Sequence, residues 1–251
     1  MAVRDADWPL RALSVALIVA LRAGPAAAGP PFVSDDPEPT DTGHFEIYLF
    51  NNGTNARTGT SGESGIDFNY GAAPDLQLTA TLPAGYDDSL GGGTQIAPSN
   101  VELAAKYRFL HQDTFGLDVS IFPRVFLPSG SATIGDNHVS LLLPVWVQKD
   151  FGKQWSAFGG GGCTFNEVPA ANFCQVGAVV TYQVLPKLQI GGELFHQTAD
   201  SRGTPASTSV GIGWRYDVTD NYHLLGYVRR GIENADETDR YSWYASVLFT
   251  F

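Results

Sequence analysis

Charged side chains alternate with apolar ones in several short stretches of this 251-residue chain. In residues 100–110, for example, Glu102, Lys106 and Arg108 share one parity, while the intervening positions are mostly apolar or aromatic. Rings of charged side chains that line a passage select ions and polar solutes by charge. The residues that alternate in this way with apolar neighbours are the candidate pore-lining residues: Glu102, Lys106, Arg108, Asp118, Arg124, Glu193, Arg215, Asp217, His223, Tyr227 and Arg229.

The mixed signs of these charges leave two interpretations open. Regular hairpin registers would set Lys106 opposite Asp118 and Asp217 opposite His223, so that the charges tie neighbouring strands together and fill a narrow lumen. Alternatively, they line a passage and select what moves through it. Aromatic side chains share the same parity and would either suit apolar solutes or simply fill space: Phe122, Phe126, Trp146 and Tyr227.

The two cysteines of the chain, Cys163 and Cys174, flank a loop over residues 166–172. On two strands that pair about the middle of this loop, they stand directly opposite each other. Directly opposed Cβ atoms come close to the separation that a disulfide needs, so the sequence favours a cross-strand disulfide over two free thiols. No further ligands cluster near them, which argues against a metal site.

His138 and Ser140 are the one pair with the residue types of a catalytic base and nucleophile. The His-x-Ser step resembles that of the outer-membrane phospholipase A family, which implies a lipid hydrolase as a remote alternative. Leu141 and Leu142 replace the Asn-Gly expected after the serine. Alternation along residues 139–147 also turns His138 and Ser140 away from the apolar face. We therefore predict no catalytic residues and no enzyme.

The elements that position these side chains are predicted to be strands, because apolar and polar residues alternate with period two. Short connections alternate with long polar ones, as between the periplasmic and extracellular ends of a membrane barrel. An Arg or Lys facing lipid at the bilayer centre would cost ~2 to 4 kcal/mol, so the charges should face inward. Twelve strands are predicted, over residues 44–51, 65–72, 76–84, 100–110, 115–127, 138–151, 154–165, 173–184, 188–198, 208–219, 222–232 and 240–251.

Both ends of the chain fit an exported barrel. Residues 1–28 have the basic start, short apolar core and small residues of a secretory signal peptide. Residues 29–43 are rich in Pro and acidic residues and should be irregular, either on the periplasmic side or inside the lumen. Residues 44–251 then form the barrel, and its last strand ends in Phe251. Its parity predicts Trp243, Ala245, Val247 and Phe249 toward lipid, and pairing with the first strand near residues 45–49.

Composition supports the same class. Only 16% of the residues are charged, and no apolar run approaches the ~20 residues of a membrane-spanning helix. The net charge is −11, and removal of residues 1–28 would make it one unit more negative. An acidic exported protein is a poor candidate for nucleic-acid binding, which requires a basic surface. The fold class predicted is all-β, a transmembrane antiparallel up-and-down β-barrel of about twelve strands.

Two stretches carry a resemblance to a known family. PPFVSDDPEP at residues 30–39, continuing to GHFE at 43–46, resembles the opening of the phenol-degradation meta-pathway (MetA-type) outer-membrane transporters. LPVWVQKDFG at residues 143–152, followed by Trp155 and the glycines at 159–162, is similar to the same family. The resemblance implies a single-chain barrel associated with passage of small organic, often aromatic, compounds.

The sequence thus predicts an outer-membrane channel or facilitator for small organic solutes, aromatic or hydrophobic ones included. The alternative is a plugged structural or surface-interaction barrel without transport. The expected partners are outer-membrane lipid, the solute, and the barrel-insertion machinery, which would read the strand ending in Phe251. No cofactor, metal ion or nucleic-acid partner is expected.

Overall fold

A computed structural model describes residues 31–88, 93–201 and 204–251. The predicted signal peptide, residues 1–28, lies outside the described residues. Among the residues described, no helix has the length and apolar content needed to cross a membrane. The strands are β1 (Phe45–Ala56), β2 (Gly59–Ala73), β3 (Leu76–Asp87), β4 (Gln95–Pro98), β5 (Glu102–Leu110), β6 (Asp118–Ile121), β7 (Arg124–Phe126), β8 (Ser140–Phe151), β9 (Trp155–Asn166), β10 (Phe173–Leu185), β11 (Leu188–Gln197), β12 (Ser207–Asp217), β13 (Tyr222–Glu233) and β14 (Tyr241–Thr250).

These segments form twelve transmembrane strands, as the sequence predicts. β4 and β5 pair with the two ends of β3 and so make one interrupted strand. β6 and β7 pair with the same two neighbours and make another, broken at Pro123. A proline has no N–H to give to a strand ladder, which explains the break.

The barrel closes between its first and last strands. β1 pairs antiparallel with β14 from Glu46 opposite Thr250 to Asn55 opposite Tyr241. Every other neighbouring pair is also antiparallel, so no strand edge is left open to lipid. The predicted pairing of the closing strand with the start of the chain is confirmed.

Apolar side chains cover the outside of this wall. On β12, Val210, Ile212, Trp214 and Tyr216 are all exposed, whereas Gly211 and Gly213 between them are buried. Aromatic pairs sit at the rim where the short turns lie, as in Phe45 with Tyr70, Trp155 with Tyr182 and Tyr222 with Phe249. Such aromatic girdles mark the membrane interfaces of outer-membrane barrels, and short turns lie on the periplasmic side. We therefore place this rim at the periplasmic side.

The predicted strand boundaries were wrong in three regions. The polar stretch 52–64 is not a loop, because β1 and β2 run on until Ala56 faces Gly59. Outside the bilayer a hairpin needs no apolar face, and the backbone ladder with Asn–Thr and Asn–Ser side-chain hydrogen bonds holds it. Part of the predicted loop 85–99 is likewise strand, in β3 and β4. Finally, residues Gln112–Phe115 form one helical turn, α1, where a strand was predicted to begin.

The N-terminal segment, residues 31–43, lies inside the barrel and is called the plug below. It contains no strand, and its Ser34 and Asp36 side chains are fully buried. Thr42 bridges to Gly71 near the periplasmic rim, and the Thr40 N–H donates to Gln77 Oε1 at 2.8 Å. Of the two predicted locations for this segment, the structure shows the luminal one.

Candidate functional site: the barrel lumen

Glu193 anchors the upper part of the plug to the barrel wall. Its carboxylate accepts hydrogen bonds from the backbone N–H groups of Ser34, at 2.7 Å, and Val33, at 3.3 Å. The Tyr227 hydroxyl donates a further hydrogen bond to the same carboxylate. Phe32 makes edge contacts with the rings of Tyr227 and Phe158. Two predicted pore-lining residues, Glu193 and Tyr227, therefore hold the plug.

Lys106 pairs with the plug and not with Asp118, so the predicted Lys106–Asp118 pair was wrong. The Lys106 ammonium lies 3.1 Å from Asp35 Oδ1 and 3.9 Å from Asp36 Oδ1. The helical turn α1 and a bulge in β5 shift the register, so that Arg108 faces Ser120. The predicted cross-strand contact thus fails because the connection is not a regular hairpin turn.

Arg108 and Asp118 stabilise the periplasmic connections. The Arg108 guanidinium contacts Asp75 at 3.0 Å and Asp118 at 3.7 Å. Asp118 also accepts a hydrogen bond from the Gln112 N–H at 3.1 Å. These two predicted lumen residues thus tie the turn after β2 to the turn after β5.

Glu102 and Arg124 form a bidentate ion pair across the interrupted strands. Arg124 Nε and Nη2 each donate to one oxygen of the Glu102 carboxylate at 2.7 Å. The Arg124 guanidinium also lies over the rings of Phe122 and Phe126. Planar bidentate pairing of this kind fixes the arginine in one orientation, so its charge stays beside a carboxylate.

The predicted Asp217–His223 register is confirmed. The two residues are directly opposed on β12 and β13, and His223 Nδ1 lies 2.6 Å from Asp217 Oδ1. Arg215 Nε donates to the same Asp217 oxygen at 2.9 Å. Arg229, the last of the predicted set, lies 3.5 Å from Asp239 and over the ring of Phe195.

Cys163 and Cys174 are opposite each other on β9 and β10 and are joined by a disulfide. Their Cα atoms are 3.9 Å apart. The bond closes the extracellular end of this hairpin, below the loop that contains a short 3₁₀ turn, Pro169–Ala171. The disulfide does not line the central cavity described below, so we assign it a structural role.

The His138 and Ser140 side chains are not arranged as a catalytic pair. His138 Nδ1 lies 2.9 Å from Glu167 Oε2, and both side chains are more than half exposed in extracellular loops. Ser140 lines a cavity in the lumen. No group of three or more His, Cys, Asp or Glu side chains in the described ranges is placed to hold a metal ion.

Beside the plug, the described residues line a series of neighbouring cavities, of which three are considered below. The periplasmic cavity, about 360 Å³, is bounded by Asn221 and Phe251; the extracellular cavity, about 470 Å³, is bounded by Asp136 and Asn166. The central cavity, about 220 Å³, shares Glu38 and Glu46 with the periplasmic cavity, and it shares further residues with the extracellular cavity. The residues common to the central and extracellular cavities are Val33, Glu63, Thr81, Glu102 and Arg124. The three cavities thus follow one another from one mouth to the other.

Several residues of the central cavity were not among the predicted set. Glu46 and Asp67 lie on β1 and β2 and face this cavity together with the rings of Tyr48, Phe50 and Tyr244. Both faces of β1 carry aromatic or aliphatic side chains, so alternation alone does not mark its luminal face. The charges of Glu46 and Asp67 are the signal that does, by the rule that charged side chains avoid lipid.

Glu38 lies in the plug between the central and periplasmic cavities. The pKa of its carboxyl group is raised from 4.5 to about 7, mainly by burial and in smaller part by the neighbouring Asp150 and Asp118. Arg108 and Lys106 act in the opposite direction without reversing the shift of this pKa. The charge at this point of the lumen therefore changes near neutral pH.

Comparisons with known proteins agree with the fold. A family model described as "Putative MetA-pathway of phenol degradation" matches residues 34–242. An outer-membrane channel from Pseudomonas putida F1 superposes with a TM-score of 0.68 at 14% identity, covering 86% of this chain and 98% of the other. The KdgM porin in complex with oligogalacturonate superposes at 0.58 with 13% identity, covering 82% and 99%, and the NanC porin at 0.56 with 11% identity, covering 82% and 98%. No curated protein matches the sequence.

Proposed function

The chain belongs to the family whose model matches residues 34–242, and on that premise we propose that it is a channel for small organic solutes. The barrel is an outer-membrane β-barrel, and its lumen would provide the passage. The observation that supports this proposal is the run of three cavities beside the plug. A barrel that only stabilised the membrane would have no need to keep this space unfilled.

The size and lining of the central cavity suit compounds with one ring. An apolar cavity of ~150 Å³ is enough to accept benzene, and the central cavity has about 220 Å³. Its lining combines the rings of Phe32, Tyr48, Phe50 and Tyr244 with hydrogen-bonding side chains such as Asn69. Small aromatic compounds with a polar substituent are therefore the solutes that fit it best.

Conductance of the purified protein in planar bilayers tests this function. We expect discrete channels, and a larger conductance after deletion of residues 31–41, because the plug then no longer narrows the lumen. The control is the Tyr227→Phe variant, which removes only the hydroxyl bond from Tyr227 to Glu193 of the wall. It keeps the ring contact with Phe32 of the plug and should change the conductance little. Silent membranes with the full chain and with the deletion would contradict the proposal.

A sealed structural barrel is the second candidate, and the plug itself favours it. Four wall side chains that contact the plug, Gln77, Lys106, Glu193 and Tyr227, are buried, which indicates a tightly docked segment. This candidate predicts no conductance in the full chain and conductance only when the plug is deleted. The same recordings therefore separate the two functions.

A further inference from the structure

We propose that the passage prefers positively charged solutes, and that its substrates are small organic cations with an aromatic or apolar face. The inference rests on the proposed channel function and specifies the solutes that such a channel would carry. It starts from the charge balance of the central cavity. Among the described residues that line this cavity there are two basic side chains, Lys106 and Arg124, and six carboxylates, those of Asp35, Glu38, Glu46, Glu63, Asp67 and Glu102.

Both basic side chains are already neutralised by close partners. Lys106 lies between Asp35 and Asp36 of the plug, and Arg124 makes its bidentate pair with Glu102. An ion pair with this geometry presents little net charge to a passing solute. An organic anion would therefore find no uncompensated positive charge among the described residues that line this cavity.

Four of the carboxylates lack such a partner in the described part of the chain, Glu38 in the plug and three on the wall. None of the ion pairs among the described residues involves Glu46, Glu63 or Asp67. Their contacts are neutral hydroxyl groups: Tyr48 donates to Glu46 at 3.1 Å, and Thr81 donates to Asp67 at 3.1 Å. These carboxylates therefore remain sources of negative potential in the space that a solute would cross.

Aromatic rings stand beside the uncompensated carboxylates. Tyr48 is next to Glu46 on the luminal face of β1, followed by Phe50, whose ring stacks on Tyr244 with 6.3 Å between centroids. An ammonium group is attracted by ring faces as well as by carboxylates, and aromatic surfaces favour organic cations over small hydrated ones. This combination is why we assign organic cations to the passage and not inorganic ions alone.

The acidic excess continues at both mouths. The periplasmic cavity is lined by Glu38, Asp41, Glu46 and Asp220, with Arg215 as its only Lys or Arg among the described residues. The extracellular cavity is lined by Glu63, Glu102 and Asp136 against Arg124. A passage of one sign along its length raises the local concentration of solutes of the opposite sign. Cations would therefore be favoured at both mouths as well as in the central cavity.

The test is the reversal potential of the purified channel in a planar bilayer with a KCl gradient. We expect cation selectivity in the full chain. The Glu46→Gln, Asp67→Asn double variant removes two charges and should lower the cation-to-anion permeability ratio by at least about fivefold, which is the Boltzmann factor of a single unit charge ~4 Å from an ion in water. Glu237→Gln and Asp113→Asn, at exposed positions outside the lumen, are the matched controls and should leave the ratio unchanged. Either single luminal variant serves if the double variant does not fold.

Solute flux into liposomes completes the test, with phenyltrimethylammonium and benzenesulfonate as probes of similar size and opposite charge. We expect the ammonium compound to enter faster, and the difference to shrink in the double variant. Channels that are non-selective or anion-selective would overturn this inference while leaving the channel function intact. The complete absence of conductance would instead overturn the channel function, and this inference with it.

Discussion

Glu38 makes the plug sensitive to protonation near neutral pH. Its carboxyl is buried in the docked plug, and this burial raises its pKa to about 7. A released plug would return this pKa toward its ordinary value of 4.5. Because the docked form binds the proton more tightly, docking is most favourable below pH 4.5 and weakens as the pH rises through about 7.

We therefore predict that raising the pH from about 5.5 to about 8 loosens the plug and increases the mean conductance and current noise. The Glu38→Gln variant cannot ionise at this position and should show a flatter pH profile, with a conductance close to that of the parent at low pH. Recordings of both proteins at the two pH values check this. An identical pH response in parent and variant would contradict the role given to Glu38.

Lys106 illustrates how one buried charge depends on a distant segment. Its partner Asp35 is 71 residues away in the sequence, and both Lys106 and Asp36 are buried. A buried charge without a partner is strongly destabilising. The plug is thus part of the electrostatic balance of the wall, which contacts it through Lys106 as well as through Glu193.

At the scale of elements, the Cys163–Cys174 disulfide reinforces a hairpin that is already paired. β9 and β10 pair over ten residue positions, from Phe173 opposite Thr164 to Tyr182 opposite Trp155. The covalent link closes a loop with a sequence separation of only 11 residues. Short loops gain the least from such a link, because little chain entropy is removed from the unfolded state.

We predict that the Cys163→Ser, Cys174→Ser double variant still folds and conducts like the parent, but is less stable by about 2–3 kcal/mol. Denaturant titration of the refolded barrel, followed by tryptophan fluorescence, measures the difference in the free energy of unfolding. Reduction of the parent protein should reproduce the same loss. A changed conductance in the double variant would instead indicate that the disulfide shapes the passage.

The interruptions of β4–β5 and β6–β7 also belong to this scale. Both broken strands lie side by side in the wall and border the extracellular cavity, which is lined by Pro83, Ser99 and Phe126. Pro123 at the second break still gives its carbonyl to the Ala105 N–H at 3.2 Å. The wall thus stays hydrogen-bonded across the break beside the cavity.

For the whole molecule, the β1–β14 ladder that closes the barrel continues by one residue pair beyond the strands, to Phe45 and Phe251. The Phe251 N–H donates to the Phe45 carbonyl, and the Phe45 N–H donates to the Phe251 carbonyl, both at 3.0 Å. The Phe251 side chain is 59% exposed, on the periplasmic rim. It therefore adds little to the packing of the lumen, and we propose that the barrel-insertion machinery contacts this exposed aromatic side chain.

We predict that Phe251→Ser sharply lowers the amount of protein in the outer membrane of cells and hardly affects refolding in detergent. Quantification of the barrel in outer-membrane fractions, alongside the refolding yield of purified protein, checks both halves of this prediction. The control is Phe115→Ser, because Phe115 is an equally exposed aromatic residue in a periplasmic turn. Equal losses in both variants would contradict a specific role for the terminal residue.

The barrel, its twelve strands and the facing of its side chains were determined by the sequence itself. Alternation is a local property, because successive side chains of a strand point to opposite sides and lipid excludes charge. The opposed pairs Cys163–Cys174 and Asp217–His223 were predictable because both hairpins keep a regular register.

Only the tertiary structure decided which charges are compensated and how much of the lumen stays open. The partners of Lys106 and Glu193 come from the plug, whose position no periodic pattern encodes. The α1 turn moved Asp118 away from Lys106 by a change of register that composition does not reveal. The sequence predicted that the last strand closes the barrel. Which carboxylates inside the barrel lack an ion-pair partner depends instead on contacts between segments far apart in the chain.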